Sequence, residues 1–349
     1  MSVAGGGDER PGGGPADERP EELAPRIDLR HLGRRLLVPA VLALAALLGL
    51  ALVADARELA DAVRGFDARL LAPVLALSLV NYLLRLARWQ LYLKRVGVRL
   101  SFGDSVAVFL TGFLLSVTPG KAGELGKAWL VKALGGGVAR RPVAVVLAER
   151  INDLLSMLVL TGLGALAFPG GGWVALSLLA GALLAVSVLL WRRAALAVLG
   201  AAHRLPLVHR MADTLVDVYD LLRGLLRPPW LAAGLALAIP AWGAEAIGFV
   251  LVVGSYQGDA GLLEGVFNYS ASTLLGALSL VPGGLLVSEG ALTALLNLQG
   301  LATPAAASAT LIIRAATLWF AVALGVVALP FVLRRLRAER GAAQGSRGG

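Results

Sequence analysis

The chain has 349 residues, of which 57% are hydrophobic and only 16% are charged, and its formal net charge is +9. Soluble domains are usually about 45–50% apolar and about 25% charged, so this composition excludes an ordinary soluble protein and indicates a polytopic membrane protein. The sequence has no cysteine and three histidines outside the apolar runs, so we expect neither a metal site nor another cofactor. Because the basic residues stand at the ends of apolar runs, they indicate membrane topology and not nucleic acid binding.

Six apolar runs are long enough to cross a membrane, since about 20 helical residues span roughly 30 Å of hydrocarbon. They are Leu36 to Ala54, Leu70 to Leu93, Pro142 to Ala167, Trp173 to Trp191, Trp230 to Val253 and Pro304 to Leu333. Together they define a membrane domain at residues 26 to 333. We expect residues 1 to 25 to be a disordered tail, because Gly, Pro, Asp and Glu cannot bury apolar surface, and residues 334 to 349 to be a basic, Gly-rich tail.

Two further pairs of apolar pieces meet at Pro-Gly breaks. Asp104 to Val117 and Lys121 to Leu134 flank Pro119-Gly120, and Leu262 to Leu280 and Gly283 to Leu296 flank Pro282-Gly283-Gly284. Each piece of the first pair has 14 residues, which gives about 21 Å of helix, too short for a comfortable crossing. We therefore predict two re-entrant helical hairpins. Full crossing is the alternative, because two added crossings leave every loop on the same side.

The two breaks begin similar patterns, which indicates an internal duplication. The first break is followed by Glu124, Pro142 and Arg150, and the second by Glu289, Pro304 and Arg314. From break to arginine the spacing is 31 residues in one case and 32 in the other. The first repeat spans about residues 70 to 167 and the second about 229 to 333. Between them, a helix at about 207 to 227 has one apolar face, which predicts a cytoplasmic amphipathic helix along the membrane surface.

Loop charges predict the orientation. Arginine and lysine concentrate before the first span, after the second, around the amphipathic helix and after the last span, whereas residues 168 to 172, 254 to 261 and 297 to 303 contain neither. Both termini are therefore expected in the cytoplasm, and the hairpins then enter from opposite sides as an inverted repeat. The expected location is a prokaryotic cytoplasmic membrane.

Charged residues inside the apolar segments are the candidate site, because such residues face a protein interior or a wet cavity. Arg85 and Arg88 share one face of the second span, and Arg150 and Arg314 lie about 12 Å and 15 Å deep from opposite sides. The second half-helix of each hairpin directs its N–H groups and positive dipole end toward the membrane middle, which favours an anion. The candidate translocation residues are Arg85, Arg88, Pro119, Gly120, Lys121, Glu124, Lys127, Glu149, Arg150, Asp153, Pro282, Gly283, Gly284, Glu289 and Arg314.

These residues allow two interpretations. The arginines and lysines form a cavity for an anionic headgroup, with the acids as gate or proton partners, or the charges pair as internal struts, for example Glu124 with Arg150 and Glu289 with Arg314. Glu245 is a weaker candidate, because it is expected near the outer interface.

Three motifs, PGKAGELGKA from Pro119, AERIND from Ala148 and PGGLLVSEGAL from Pro282, resemble the flippase-like membrane domain of lysylphosphatidylglycerol synthases and of their stand-alone relatives. The resemblance covers about residues 36 to 333 and implies movement of lipids or lipid-linked saccharides between leaflets. It implies as motif positions Pro119, Gly120, Glu124, Glu149, Arg150, Asp153, Gly283 and Glu289. The synthases attach a soluble aminoacyl-transferase domain after the membrane part, whereas this chain continues only as a short polar tail, so lysyl transfer is not expected.

We therefore expect a non-enzymatic translocator of anionic phospholipids or lipid-linked saccharides, with membrane lipids as its partners. One alternative is an intramembrane transferase with Glu149 or Asp153 as base, although no catalytic motif is present. The other is an accessory subunit that binds a glycosyltransferase or lipid synthase through the amphipathic helix.

Overall fold

A computed structural model describes residues 55–116, 125–202, 212–257, 261–279 and 281–345, and these residues form helices and turns without a strand. The helices are α1 (Ala56–Arg64), α2 (Leu71–Arg95), α3 (Phe102–Ser116), α4 (Leu125–Ala133), α5 (Arg140–Ala165), α6 (Gly171–Leu190), α7 (Arg192–Ala202), α8 (Ala212–Leu225), α9 (Pro228–Gln257), α10 (Leu262–Leu278), α11 (Val287–Leu298), α12 (Thr303–Arg314) and α13 (Phe320–Gly345). Short 3₁₀ turns lie at Ala68–Leu70 and Pro282–Gly284, and a π-helical segment at Ala315–Trp319 joins α12 to α13.

Four helical stretches among the described residues are long and apolar enough to cross a membrane. They are Ala68–Arg95, Gly171–Leu190, Pro228–Tyr256 and Thr303–Glu339. Each corresponds to one of the six predicted spans. The predicted span at residues 36 to 54 lies outside the described residues, and α5 has the necessary length of 26 residues but contains too many charged side chains to belong to this group.

The two predicted hairpins differ in how much of each is described. In the first, α3 ends at Ser116 and α4 begins at Leu125, so Pro119, Gly120, Lys121 and Glu124 lie outside the described residues. In the second, Gly283 and Gly284 adopt φ values of 62° and 66°. This left-handed region is accessible to glycine without a steric penalty, which explains why the break contains a Gly-Gly pair.

The last span is longer and less regular than predicted. The sequence predicted a helix from Pro304 to Leu333, but the π-helical segment interrupts it directly after Arg314, and α13 continues to Gly345. Residues 334 to 345 of the predicted polar tail are thus helical. π-Helical segments are rare and occur frequently at functional sites, so the position of this one beside Arg314 is informative.

Helix packing relates the two predicted repeats. The first helices of the repeats, α2 and α9, pack along each other. The first hairpin helix of each repeat packs against the last helix of the other, α3 against α13 and α10 against α5. Each predicted repeat therefore packs one of its hairpin helices against the last helix of the other repeat.

A glycine allows close approach at each of the two reciprocal contacts. A Cβ atom added at Gly164 of α5 would lie 2.5 Å from the backbone nitrogen of Phe267 in α10. A Cβ atom at Gly325 of α13 would lie 2.8 Å from backbone atoms of Leu110 and Leu114 in α3. Small residues at such crossings let helix backbones approach closely in membrane proteins.

The buried apolar residues form two main clusters, and the charged residues of α5 lie between them. Ala148 of α5 belongs to the cluster that also contains Trp89, whereas Leu160 of α5 belongs to the cluster that contains Phe249. The intervening turns of α5 hold Glu149, Arg150 and Asp153. The apolar packing therefore surrounds the charged residues from both ends.

Helix α8 packs against the other helices through its apolar face. The sequence predicted that this face lies along the membrane surface. Val218, Leu222 and Leu225 are buried in the first cluster, and α5 is the main helix that covers them. On the exposed side, Arg192 of α7 donates hydrogen bonds of 3.0 and 3.1 Å to Asp220. These bonds lower the pKa of Asp220 below its usual range.

We predict that Gly164→Ala and Gly325→Ala each destabilise the folded protein by about 1–3 kcal/mol, because the new methyl group overlaps the backbone of the facing helix. Gly181→Ala is the matched control, since a Cβ atom at that helical position of α6 has nothing within 4 Å. Thermal unfolding in detergent measures the effect. Equal midpoints for all three variants would contradict the close helix crossings.

Candidate functional site

A cavity of about 300 Å³ lies where α2, α5, α9, α10 and the α12–α13 junction meet. Its size is at the lower end of the range of ligand pockets, which is about 300–1,000 Å³. The charged side chains that line it in the described part of the chain are Arg85, Arg150, Asp153, Glu245 and Arg314. The wall also includes the second break, through Gly283 and Gly284, and the residues Tyr82, Tyr269 and Ser288. The cavity therefore combines a broken helix with charges from both predicted repeats.

Asp153 is surrounded by three arginines. Arg88 Nη2 lies 2.7 Å from Asp153 Oδ1, and Arg150 Nη2 lies 3.1 Å from Oδ2. The third, Arg85, is 4.0 Å away. The indole N–H of Trp242 donates a further hydrogen bond of 3.1 Å to Oδ1. One carboxylate cannot neutralise three guanidinium groups, so this side of the cavity has an excess of positive charge.

Arg85 is held mainly by aromatic rings. Its guanidinium carbon lies 5.3 Å from the ring centroids of both Phe113 and Trp242. These distances are within the range of cation–π contacts. Its Nε is buried and has no hydrogen-bond partner within the described residues. Arg85 is therefore oriented by its neighbours while its donors are not consumed by a close carboxylate, which is the arrangement that an anion-binding arginine requires.

Arg314 connects the second break to the helix that follows it. Its Nε donates a hydrogen bond of 2.6 Å to Glu289 Oε1, and its Nη2 donates one of 2.8 Å to the carbonyl oxygen of Gly283. The Glu289–Arg314 strut that the sequence suggested is thus present. The other suggested strut involves Glu124, which lies outside the described residues, and Arg150 pairs with Asp153 instead.

A second charged group lies beside the cavity and not in its wall. Lys127 Nζ is 2.7 Å from Glu149 Oε2 and 4.5 Å from the ring centroid of Trp89. Both charged side chains are almost fully buried. Neither residue lines the cavity, and Arg88 is likewise fully buried behind Asp153. Lys127, Glu149 and Arg88 therefore lie next to the cavity wall without lining the cavity.

The sequence-predicted residues differ in their position relative to the cavity. The residues that line the cavity are Arg85, Arg150, Asp153, Gly283, Gly284 and Arg314. Those one contact away are Arg88 and Glu289, with the Lys127–Glu149 pair alongside. Pro282 begins the 3₁₀ turn of the second break. The remaining candidates, Pro119, Gly120, Lys121 and Glu124, lie outside the described residues.

Glu245 is a cavity residue that the sequence analysis underrated. It was a weaker candidate because it was expected near the outer interface, and in the structure it is 4% exposed, lines the cavity and accepts a hydrogen bond of 2.6 Å from the Tyr269 hydroxyl. Helix α9 extends to Gln257, four residues beyond the predicted Val253, so Glu245 lies about 18 Å from the C-terminal end of the helix. The sequence signal that could have identified Glu245 as a site residue is a single carboxyl inside a long apolar stretch.

The described residues offer no group of three or more His, Asp or Glu side chains that could hold a metal ion. The guanidinium groups of the cavity wall can donate hydrogen bonds to an anion, whereas the hydroxyl groups of Tyr82 and Tyr269 already donate theirs to Thr317 O and Glu245 Oε2. Phosphate oxygens suit such donors, because charge-assisted hydrogen bonds from arginine are short and strong.

Comparisons with known proteins agree with the resemblance of the motifs. The family model described as "Lysylphosphatidylglycerol synthase TM region" matches residues 39–325. A "UPF0104 membrane protein" from Methanothermobacter thermautotrophicus is 25% identical over 328 residues, which cover 87% of this chain and 96% of that protein. The match therefore includes both breaks and all the charged residues of the cavity.

We predict that Arg88→Met destabilises the folded protein by about 1.5–3 kcal/mol, because it removes the buried charge-assisted hydrogen bond of 2.7 Å to Asp153, while Arg150 remains as an ion-pair partner of that carboxylate. Lys94→Met is the control, since Lys94 is an exposed basic residue near the end of the same helix, and surface substitutions usually change stability by less than about 0.5 kcal/mol. Denaturant titration in detergent compares the two variants. Equal stability would show that Asp153 does not depend on Arg88.

Proposed function

The chain belongs to the family of the lysylphosphatidylglycerol synthase transmembrane region, and we propose that it moves anionic phospholipids or lipid-linked saccharides between the leaflets of a membrane. The observation that supports this most strongly is the cavity in which Arg85, Arg150 and Arg314 meet. Two of these arginines come from one predicted repeat and the third from the other. A site shared by two repeats is the expected location for a substrate that must reach both membrane surfaces.

The proposed substrate contact is a phosphate or other anionic headgroup. Arg85 offers donors that no close carboxylate occupies, and the excess positive charge around Asp153 attracts an anion. Ser288 adds a neutral hydroxyl-bearing side chain in the same wall. A cavity of about 300 Å³ holds a polar headgroup but not two acyl chains, so in this proposal the chains stay in the surrounding lipid while the headgroup crosses.

The proposed topology has both termini in the cytoplasm, six full spans and two re-entrant hairpins that enter from opposite sides. The reciprocal packing of α3 on α13 and of α10 on α5 supports this arrangement, because each hairpin helix can then move against the last helix of the other repeat. Such movement would open the cavity alternately to the two sides, as in transporters built from inverted repeats.

The alternatives receive less support from the contacts. An intramembrane transferase would need Glu149 or Asp153 as a general base, but Lys127 engages the first at 2.7 Å and arginines engage the second. An accessory subunit would use the apolar face of α8 to bind a glycosyltransferase or lipid synthase, but α5 packs against that helix and its central apolar residues are buried.

We predict that Arg85→Ala, Arg150→Ala and Arg314→Ala each lower the rate of lipid translocation by about 10- to 100-fold, because a hydrogen bond to a charged group contributes about 1.5–3 kcal/mol. The measurement uses proteoliposomes with fluorescently labelled phosphatidylglycerol and a membrane-impermeant quencher that reports the lipid remaining in the outer leaflet.

Arg335→Ala is the matched control for that experiment. Arg335 forms an ion pair with Asp104 at 2.8 Å but does not line the cavity, so this variant loses a salt bridge without losing a proposed substrate contact. Wild-type rates in all three cavity variants would show that the arginines are struts. A wild-type protein that moves neither phosphatidylglycerol nor other labelled anionic lipids would refute the proposed function and favour the accessory or enzymatic alternatives.

A further inference from the structure

Glu245 differs from the other acidic groups of the site in lacking an ion pair. Asp153 and Glu289 have an arginine nitrogen at 2.7 Å and 2.6 Å, respectively. Within the described residues no lysine or arginine nitrogen lies within 4.0 Å of the Glu245 carboxyl, whose partner is the hydroxyl of Tyr269. The side chain is 4% exposed and lines the cavity. The protein therefore keeps one carboxyl at the substrate site without a direct counter-ion.

An ionised carboxylate in such a position depends on charges farther away. The charged and titratable groups that line the cavity together with Glu245 are Arg85 and Tyr82 of α2, Arg150 and Asp153 of α5, Tyr269 of α10 and Arg314 of α12. Helix α8 contacts α9 through the separate cluster around Leu225 and Leu231. Arg85 and Arg314 are two of the cations in that wall, and their positive charge favours the ionised form of the Glu245 carboxyl.

The same two arginines are proposed contacts of the anionic headgroup. When an anion binds to them, their positive charge is neutralised, and the ionised form of the buried Glu245 carboxyl loses this stabilisation. A buried charge without compensation is costly, and uptake of a proton from water removes that cost. Anion binding and proton binding at this cavity therefore favour each other, as any two linked binding equilibria must do reciprocally.

We propose that Glu245 takes up one proton when the anionic headgroup binds, so that the two cross the membrane together. The proposal rests on the proposed translocator function and specifies its ionic coupling. One proton added to a carboxylate oxygen balances the single negative charge of a phosphodiester headgroup, so the loaded cavity has the same net charge as the empty one. A pH gradient across the membrane would then bias the direction of lipid movement.

The first test measures proton uptake on lipid binding. Purified protein in weakly buffered detergent is mixed with short-chain phosphatidylglycerol, and a pH indicator reports protons removed from solution. This lipid is suitable because its phosphodiester remains ionised near neutral pH and takes up no proton itself. We expect about one proton per bound lipid for the wild type, and an apparent affinity that rises by up to about tenfold per unit decrease in pH in the coupled range.

Substitutions at Glu245 and Glu264 test which carboxyl group takes up the proton. Glu245→Gln retains an oxygen that can accept the Tyr269 hydrogen bond but cannot bind the proton, so lipid binding should become independent of pH and proton uptake should disappear. Glu245→Asp restores a carboxyl and should restore uptake. Glu264→Gln is the matched control, because Glu264 is exposed at the start of α10, and its uptake should equal that of the wild type. Equal uptake by wild type and Glu245→Gln would overturn the proposal.

The outcome separates this inference from the function on which it rests. If the wild type binds and translocates phosphatidylglycerol without proton uptake and without response to a pH gradient, the lipid site stands and the proton coupling is wrong. If the wild type neither binds nor translocates the lipid, the translocator function itself is wrong. If uptake occurs and is lost in Glu245→Gln, both are supported.

Discussion

The cost of burying charge in an apolar protein governs this structure. Each ionised group inside the helix bundle needs compensation from the protein itself, because hydrocarbon offers none. Asp153 obtains it from Arg88 and Arg150, and Glu289 obtains it from Arg314. These contacts join α2 to α5 and α11 to α12, so the same ion pairs that make the charges tolerable also fix the helices around the cavity.

The backbone obeys the same constraint where its helical hydrogen bonding is interrupted. The second break exposes the carbonyl oxygen of Gly283, which accepts a hydrogen bond from Arg314. The π-helical segment contains the carbonyl oxygen of Thr317, which accepts a hydrogen bond of 2.6 Å from the Tyr82 hydroxyl. Irregular backbone at membrane depth occurs where it is buried in protein or lines a cavity. The polar side chains thus satisfy backbone carbonyl groups at the helix breaks, and the breaks give these buried side chains hydrogen-bond acceptors.

Sequence patterns predicted the parts of this architecture that depend on local composition. The apolar runs gave the membrane class and four helices that are long enough to span, and the repeated spacing from break to arginine anticipated that Arg150 and Arg314 share one cavity. Which charged side chains form ion pairs was less predictable, because ion pairing depends on tertiary distances. Arg150 contacts Asp153, three residues along its own helix, whereas the pair between Lys127 and Glu149 spans 22 residues.

Helix bounds were a second source of error. Helix α9 continues four residues beyond its predicted end, and Glu245, within this helix, lines the cavity. Hydropathy could not show this, because Gly254, Ser255, Tyr256 and Gln257 lower the apolar signal although their backbone remains helical. The aromatic residues Phe113 and Trp242 were missed for a similar reason, since their apolar rings did not distinguish contact with lipid from contact with Arg85.

The arginines around Asp153 also explain why the cavity is suited to bind an anion. Arg85 Nε and Arg88 Nε and Nη1 are buried without hydrogen-bond partners in the described part of the chain, whereas most buried polar groups in folded proteins are hydrogen-bonded. Arg88 is enclosed behind Asp153, so its unmet donors are a structural cost. Arg85 lines the cavity, so its guanidinium group can contact an anion there. The free energy recovered at Arg85 would favour headgroup entry, and the carboxyl of Glu245 on the same wall would limit how tightly an anion binds until a proton arrives. A translocator requires this balance, because a substrate that is bound too tightly is not released on the other side.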